Sequence, residues 1–328
     1  MAAAFLFGGG DDIMDREVFI MKNQLLGVDI GGTTVKIGRF SDTGDLLDKW
    51  DLPTDKTGGG ARILSEIHAS VARRIGWSAI RGVGFGVPGP VIGNVVQSCV
   101  NIGWMNLDIV CEFQKLLQDP GIVIQAANDA NVACMGEVFG GAAVGCSNVF
   151  LFTLGTGIGG AVVINGRLVE GADGLAGELG HMVVDFEHRF PCNCGKQGCL
   201  ETVASATGIV LLAKWNLAHS DKASTLRQFE SFSAKRVLDL AKAGDRLSIE
   251  TVAQAADYLG RATASVLLTI NPDIIVFGGG VANAGAFLID QIAARARSYV
   301  HPFAQTTPIV AAKLGNDAGI YGAQVLVR

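Results

Sequence analysis

Residues 178–201 read ELGHMVVDFEHRFPCNCGKQGCLE. Three cysteines, Cys192, Cys194 and Cys199, fall within eight residues, and His181 stands eleven residues before the first of them. Three thiolates and an imidazole make a full tetrahedral set for Zn²⁺, and a Cys₃His site with no vacant position is structural rather than hydrolytic. Gly195 and Gly198 supply the free φ angles that let so short a loop fold back on one ion. The alternative reading is a reactive or disulfide-bonded cysteine cluster.

Two carboxylates that a structural metal does not require frame this knuckle: Glu178, three residues before the histidine, and Glu201, two after the last cysteine. Carboxylates accept paired hydrogen bonds from neighbouring hydroxyls, so the frame suits a polyhydroxylated ligand. The run E-x-G-H followed by C-x-C-G-x-x-G-C-x-E resembles the signature of the ROK family (repressors, open reading frames and kinases), whose enzymatic members are mostly sugar kinases. The resemblance covers residue 25 to the C-terminus and is closest to ROK-type bacterial glucokinases. ROK repressors carry a DNA-binding winged helix at the N-terminus, and the two dozen or so residues here are too few for one. The resemblance therefore implies a kinase rather than a repressor.

The chain has 328 residues, enough for two domains of ordinary size, each with its own core. Hydrophobic residues make up 49% and charged residues 17%, a globular composition with little room for long disordered tails. A net charge of −5 argues against a nucleic-acid surface, and no run of eighteen apolar residues suggests a membrane span. Cys99, Cys111, Cys134 and Cys146 are scattered in apolar contexts and read as small core residues in a reducing, cytoplasmic compartment. Residues 1–23 read as a loose extension, with Met14 or Met21 as alternative starts: a short apolar patch runs straight into Gly-Gly-Gly-Asp-Asp, unlike a signal peptide.

Residues 25–30 form an apolar run ending in D-I-G-G-T-T-V-K, residues 35–40 resume as a second strand, and 46–52 form a third. Ile63, Ile67, Val71 and Ile75 recur every fourth residue and place an apolar stripe on a helix. Strands at 80–86 and 94–100, a helix around 107–118 and a strand near 121–126 complete this half. A second cycle begins at 148–154, turns through G-T-G-I-G-G, and continues at 161–164 into Asn165-Gly166, a two-residue hairpin signal. Residues 202–269 are mainly helical in period; 273–277 is a short strand ending in three glycines, 283–299 reads as helix, 308–312 as strand and 318–326 as the last helix. Strand, glycine turn, strand thus occurs twice, which predicts two related α/β domains with a cleft between them. The expected boundaries are 24–127, 128–317 and a C-terminal helix, 318–328, that packs back on the first domain.

Backbone N–H groups in glycine turns can grip phosphate oxygens, and threonine hydroxyls add donors. The spacing G-x-G-x-x-G occurs at Gly155, Gly157 and Gly160 and again at Gly84, Gly86 and Gly89, but both run on into strand-like sequence, which argues against a dinucleotide fold. Strand–turn–strand phosphate loops in both halves resemble the actin, hexokinase and heat-shock ATPase superfamily, a ribonuclease H-like architecture. That resemblance implies an ATP site built from Asp29, Gly31, Gly32, Thr33, Thr34 and Lys36 in one half and Gly155, Thr156, Gly157 and Gly159 in the other. Gly279 and Gly280 would face the adenosine, and Asp29 would assist Mg²⁺ through water.

Asn128-Asp129-Ala130-Asn131 follows an apolar strand and precedes a helix, so Asp129 can be read as an N-cap. The same segment resembles the one that carries the ROK catalytic base, which implies that Asp129 takes the proton of the attacking sugar hydroxyl. The resemblance further implies sugar contacts from Gly89, Asn101, Asn128, Glu178, His181 and Glu201, with His181 serving zinc through one nitrogen and sugar through the other. The reading that follows is an ATP-dependent glucokinase, in a homodimer or dimer of dimers. A ROK kinase for N-acetylglucosamine, N-acetylmannosamine, fructose or a β-glucoside, or a non-catalytic sugar-binding regulator, stands as the alternative. Polyphosphate remains open beside ATP as the donor.

Overall fold

The structure is a computed structural model that describes residues 22–304 and 306–328. All but two residues of the expected N-terminal extension, with Met14 and Met21, lie outside the described residues.

In the first half, β1 (Gln24–Ile30), β2 (Thr34–Ser41) and β3 (Leu46–Pro53) form an antiparallel meander. β3 alternates between half-buried and exposed residues along its whole length, the pattern of an edge strand with one wetted face. A single irregular turn, α1 (Thr57–Gly60), and the helix α2 (Ile63–Arg74) lead to β4 (Ile80–Val87), which runs parallel to β1. Short strands β5 (Val91–Ile92), β6 (Val95–Cys99) and β7 (Trp104–Asp108) precede α3 (Ile109–Leu116), and β8 (Val123–Asn128) then lies parallel to β4. The sheet order is β3-β2-β1-β4-β8.

The second half opens with α4 (Asp129–Gly140) and then repeats the scheme. β9 (Val149–Leu154), β10 (Ile158–Ile164) and β11 (Arg167–Val169) form an antiparallel meander. Helices α5 (Glu201–Ala204), α6 (Ala206–Ala218), α7 (Ala234–Lys242) and α8 (Arg246–Thr269) follow. β12 (Ile274–Gly278), α9 (Ala286–Tyr299), β13 (Ile309–Ala311) and α10 (Ala318–Val325) close the chain. The order β11-β10-β9-β12-β13, with two antiparallel and two parallel pairings, reproduces the first sheet. This is the duplicated α/β architecture that the repeated strand–glycine–strand pattern predicts. Asn165 (φ 51°) and Gly166 (φ 73°) both take positive φ, as a tight two-residue hairpin between β10 and β11 demands.

Three details differ from expectation. β5, β6 and β7 form a separate three-stranded sheet, of which only β6 is readable from sequence. The helix expected from 107 starts two residues later, because the Asp108 carboxylate caps it by accepting the Cys111 N–H (2.9 Å). The helical stretch after Thr202 breaks at Ser205, whose hydroxyl accepts from Gly208 N–H and starts α6 afresh.

Helices α4 and α10 cross between the two sheets at backbone distance. A Cβ on Gly322 would sit 1.5 Å from the Val132 carbonyl, and one on Gly84 1.7 Å from that of Ala323, so only glycine permits this approach. The crossing is fixed at its far end by Glu137, fully buried, whose carboxylate accepts the N–H groups of Ala142 (2.6 Å), Lys313 (3.1 Å) and Leu314 (2.8 Å). Since α4 begins with Asp129 and Gly319 of α10 packs on Asp29, this crossing sets the separation of the two aspartates.

Candidate active site

The site forms where strand ends of both halves meet. At the junction of β8 and α4, the N-cap is Asn128 and not Asp129: Asn128 Oδ1 accepts from Ala130 N–H (2.8 Å) and Asn131 N–H (3.3 Å), while its Nδ2 donates to the Gly89 carbonyl (3.0 Å). The capping reading of Asp129 is thereby displaced by one residue. Asp129 accepts Ala130 N–H at 2.9 Å, and its carboxylate opens into the cleft. Protein atoms crowd the cleft floor around it, and with the charge of Asp29 they push its pKa up to about 6. Burial also raises the pKa of Asp29, against the pull of Lys36 on the facing strand.

Opposite, Glu178 precedes a single 3₁₀ turn, Leu179–His181, and burial followed by the nearby Glu201 charge raises its pKa. Glu201 opens α5. One carboxylate oxygen lies 2.7 Å from where a Gly157 Cβ would stand, so glycine there is what lets the carboxylate reach the second glycine turn. Its other oxygen is 3.0 Å from Cys192 Sγ and 3.8 Å from His181 Nδ1. Asp129, Glu178, His181 and Glu201 line one cavity of about 550 Å³ with Gly89, Asn101, Asn128, Gly155, Thr156, Gly157, Gly159 and Gly279. Thirteen residues singled out by sequence converge on the cleft or its rim in this way, counting Gly280, which lines the adjoining cavity below.

The first glycine turn is not part of that lining. Gly31 to Thr34 link β1 to β2, with Gly31 N–H on the Thr34 carbonyl (2.9 Å) and the Thr54 hydroxyl on the Gly31 carbonyl (2.7 Å). Lys36 is turned aside, its ammonium on the Asn316 carbonyl at 2.7 Å.

The knuckle is a tight hairpin with bridges Val183–Cys199 and Pro191–Gln197, and Gly195 and Gly198 adopt φ of +86° and +77°. Cys192 Sγ lies 3.6 Å from His181 Nδ1 and Cys194 Sγ 3.6 Å from Cys199 Sγ; all four donor atoms lie within 4.8 Å of one another. A tetrahedral ion with Zn–S of about 2.3 Å and Zn–N of about 2.0 Å requires donor separations of about 3.5–3.8 Å; the two 3.6 Å pairs meet this, and closing the widest separation by about 1 Å would let all four donors hold one ion. Asp185 anchors the knuckle from below. It is 1% exposed and paired with Arg189 (2.9 Å), which also meets Tyr258 of α8. Burial alone would raise the Asp185 pKa, but the Arg189 hydrogen bonds outweigh it and the net shift is downward.

A second cavity of about 520 Å³ opens from Gly155 and Thr156 and runs between α7 and the Gly280 turn, over Ser233, Leu238, Asn283 and Ala284. Apart from the glycine turns, these residues carry no local motif; they meet only because α7 folds over the turn after β12.

The ROK family model matches residues 25–328. The chain belongs to the ROK family. This ROK chain is 39% identical over 314 residues to the glucokinase of Halalkalibacterium halodurans, covering 92% of this chain and 94% of that one. It is 36% identical to the glucokinase of Thermotoga maritima, over 94% and 98% of the two chains. Among solved structures, it resembles a ROK family glucokinase from Streptomyces griseus in complex with glucose and AMPPNP, with TM-score 0.73, 30% identity and 92% and 98% coverage. Among the described residues of this ROK chain, no helix is long and apolar enough to cross a membrane.

Proposed function

We propose that this chain is an ATP-dependent glucokinase that converts glucose to glucose 6-phosphate with Asp129 as the general base. The observation that carries the reading is the release of Asp129 from capping. Asn128 takes that task, leaving an ionisable carboxylate open in a cavity shared with two further carboxylates, an imidazole and a glycine turn.

Glu178, Glu201 and His181 accept and donate to the sugar hydroxyls from one wall, and Asn101 reaches from the other. The adenosine lies in the 520 Å³ cavity over Leu238 and Asn283, so that the phosphates pass Gly155, Thr156 and Gly157 towards Asp129. The sugar 6-oxygen attacks the γ-phosphorus as its proton passes to Asp129; the new O–P bond forms, the bond to the β-phosphate oxygen breaks, and ADP leaves. Asp29 would help hold Mg²⁺, which would supply charge neutralisation at the phosphates. His181 Nδ1, Cys192, Cys194 and Cys199 would hold zinc, which would fix the imidazole and leave its Nε2 for the sugar. A homodimer acting in the cytoplasm, where ATP and reduced thiols coexist, completes the reading.

An ADP-coupled assay across glucose, fructose, N-acetylglucosamine, N-acetylmannosamine and a β-glucoside tests it. The highest kcat/KM belongs to glucose; a higher value for another sugar reassigns the substrate, and no turnover with any of them leaves a sugar-binding protein.

A further inference from the structure

The stretch Pro53-Thr54-Asp55-Lys56-Thr57-Gly58-Gly59-Gly60 leaves β3 and spans from the first glycine turn to the arm that bears Asn101. One end is fastened to the turn: Thr54 N–H donates to the Thr33 carbonyl (3.0 Å) and its hydroxyl to that of Gly31 (2.7 Å). The other end is fastened to the arm: Trp104 Nε1 donates to the Gly60 carbonyl (3.2 Å), and Gly59 packs against Gly103. Three successive glycines with φ of +60°, +70° and +69° make the sharp bend between these fastenings.

Lys56 stands in that bend, and its Nζ lies 3.7 Å from the point above Gly32 where a Cβ would be. The neighbouring carboxylate does not neutralise it. Asp55 is committed to the Thr57 N–H and hydroxyl (2.9 and 2.6 Å) and to Arg62, contacts that draw its pKa down to about 2. Among the described residues, no hydrogen bond or ion pair holds Lys56 Nζ. This exposed ammonium over a turn rich in N–H donors has no partner among the described residues, so it is free to meet an anion brought to the turn. Burial raises the pKa of the Cys99 thiol, the Asp129 charge adds to the rise and the Lys56 charge opposes it, so both charges lie within reach of that thiol.

We propose that Lys56 binds the γ-phosphoryl oxygens of ATP and neutralises them during transfer, between the first glycine turn and the acceptor hydroxyl. The assignment rests on the kinase reading above. Phosphoryl transfer spreads negative charge over three equatorial oxygens, and a flexible ammonium with three donors can follow them through the transition state. Lys36, engaged with Asn316, is not available for this.

The test compares wild type, Lys56→Met and Lys56→Arg, with Lys36→Met as control, by calorimetric titration of Mg-ADP and Mg-AMPPNP and by steady-state kinetics with glucose. Lys56→Met keeps ADP affinity within about twofold, weakens AMPPNP about tenfold and lowers kcat about a hundredfold; Lys56→Arg restores part of both losses. Equal weakening of ADP and AMPPNP, or a kcat within about threefold of wild type, overturns the assignment. A larger γ-phosphate-specific loss in Lys36→Met transfers the role to that residue. Wild type that binds AMPPNP but phosphorylates no sugar defeats the kinase reading itself, which the variants alone cannot do.

Discussion

Replacing Asp129 with Asn removes the proton acceptor and almost nothing else. The helix cap is untouched, because Asn128 makes it, and the hydrogen bond from Ala130 N–H can be accepted equally by a carboxamide oxygen. With a pKa of about 6, Asp129 is about nine-tenths ionised at pH 7 and about one-tenth ionised at pH 5, so wild-type kcat/KM drops about tenfold between these pH values. Asp129→Asn lacks this acid limb and loses about 10²–10⁴ in kcat. Stability moves the other way. A carboxyl whose folded pKa is raised contributes stability that is complete below about pH 4 and is lost as pH rises through about 6. The variant therefore melts at or slightly above the wild-type temperature at pH 7 to 8, by about 1–2 °C, since cleft water screens the charge. Coupled kinetics from pH 5 to 8 and thermal melts over the same range provide the assay. Near-wild-type turnover in Asp129→Asn, or an acid limb that survives the substitution, would refute the assignment of the base; a variant that melts many degrees lower would refute the claim that Asn128 carries the cap.

Gly322→Ala forces a methyl to within 1.5 Å of the Val132 carbonyl and must spread α4 from α10; about 3 kcal/mol and a fall of about 5 °C or more in Tm are expected, and an unchanged melt would show that the crossing is looser than described. Metal analysis of wild type gives one tightly held zinc per chain, and Cys192→Ser loses it together with thermal stability and glucose affinity; a zinc-free, fully active wild-type preparation ends that account. Saturating glucose without nucleotide reduces the radius of gyration in small-angle scattering, since Asn101 comes from the first half of the chain and Glu178 and Glu201 from the second; an unchanged radius in a protein shown to bind glucose means a preformed site.

What could be read from the chain, and what could not, follows from the range of the interactions. The runs at β1, β4, β9 and β12 announce themselves because a strand buried on both faces is apolar throughout, and the duplication shows because both meanders turn on glycines. The small sheet of β5 to β7 is hidden: β5 has two residues, and β7 is largely exposed, so neither carries a hydrophobic period. The knuckle was legible because its donors are close in sequence. Asp185 with Arg189 carries no such signal: an acid and a base four apart are common on surfaces, and only the fold shows that this pair is buried. Glu137 accepts from backbone groups more than 170 residues away, a partnership with no sequence signal at all. Which of Asn128 and Asp129 caps α4 was undecidable from residue type, since both are good caps; the register of β8 against β4 decides it by bringing Asn128 under the Gly89 carbonyl.

The most direct measurement of the central claim is the product. Wild-type protein with glucose and Mg-ATP, followed by ³¹P NMR, should show a 6-phosphate ester and ADP rising in equal amounts, and Asp129→Asn should show neither above background. Inorganic phosphate accumulating beside unmodified glucose, or an ester at another position, would contradict the account.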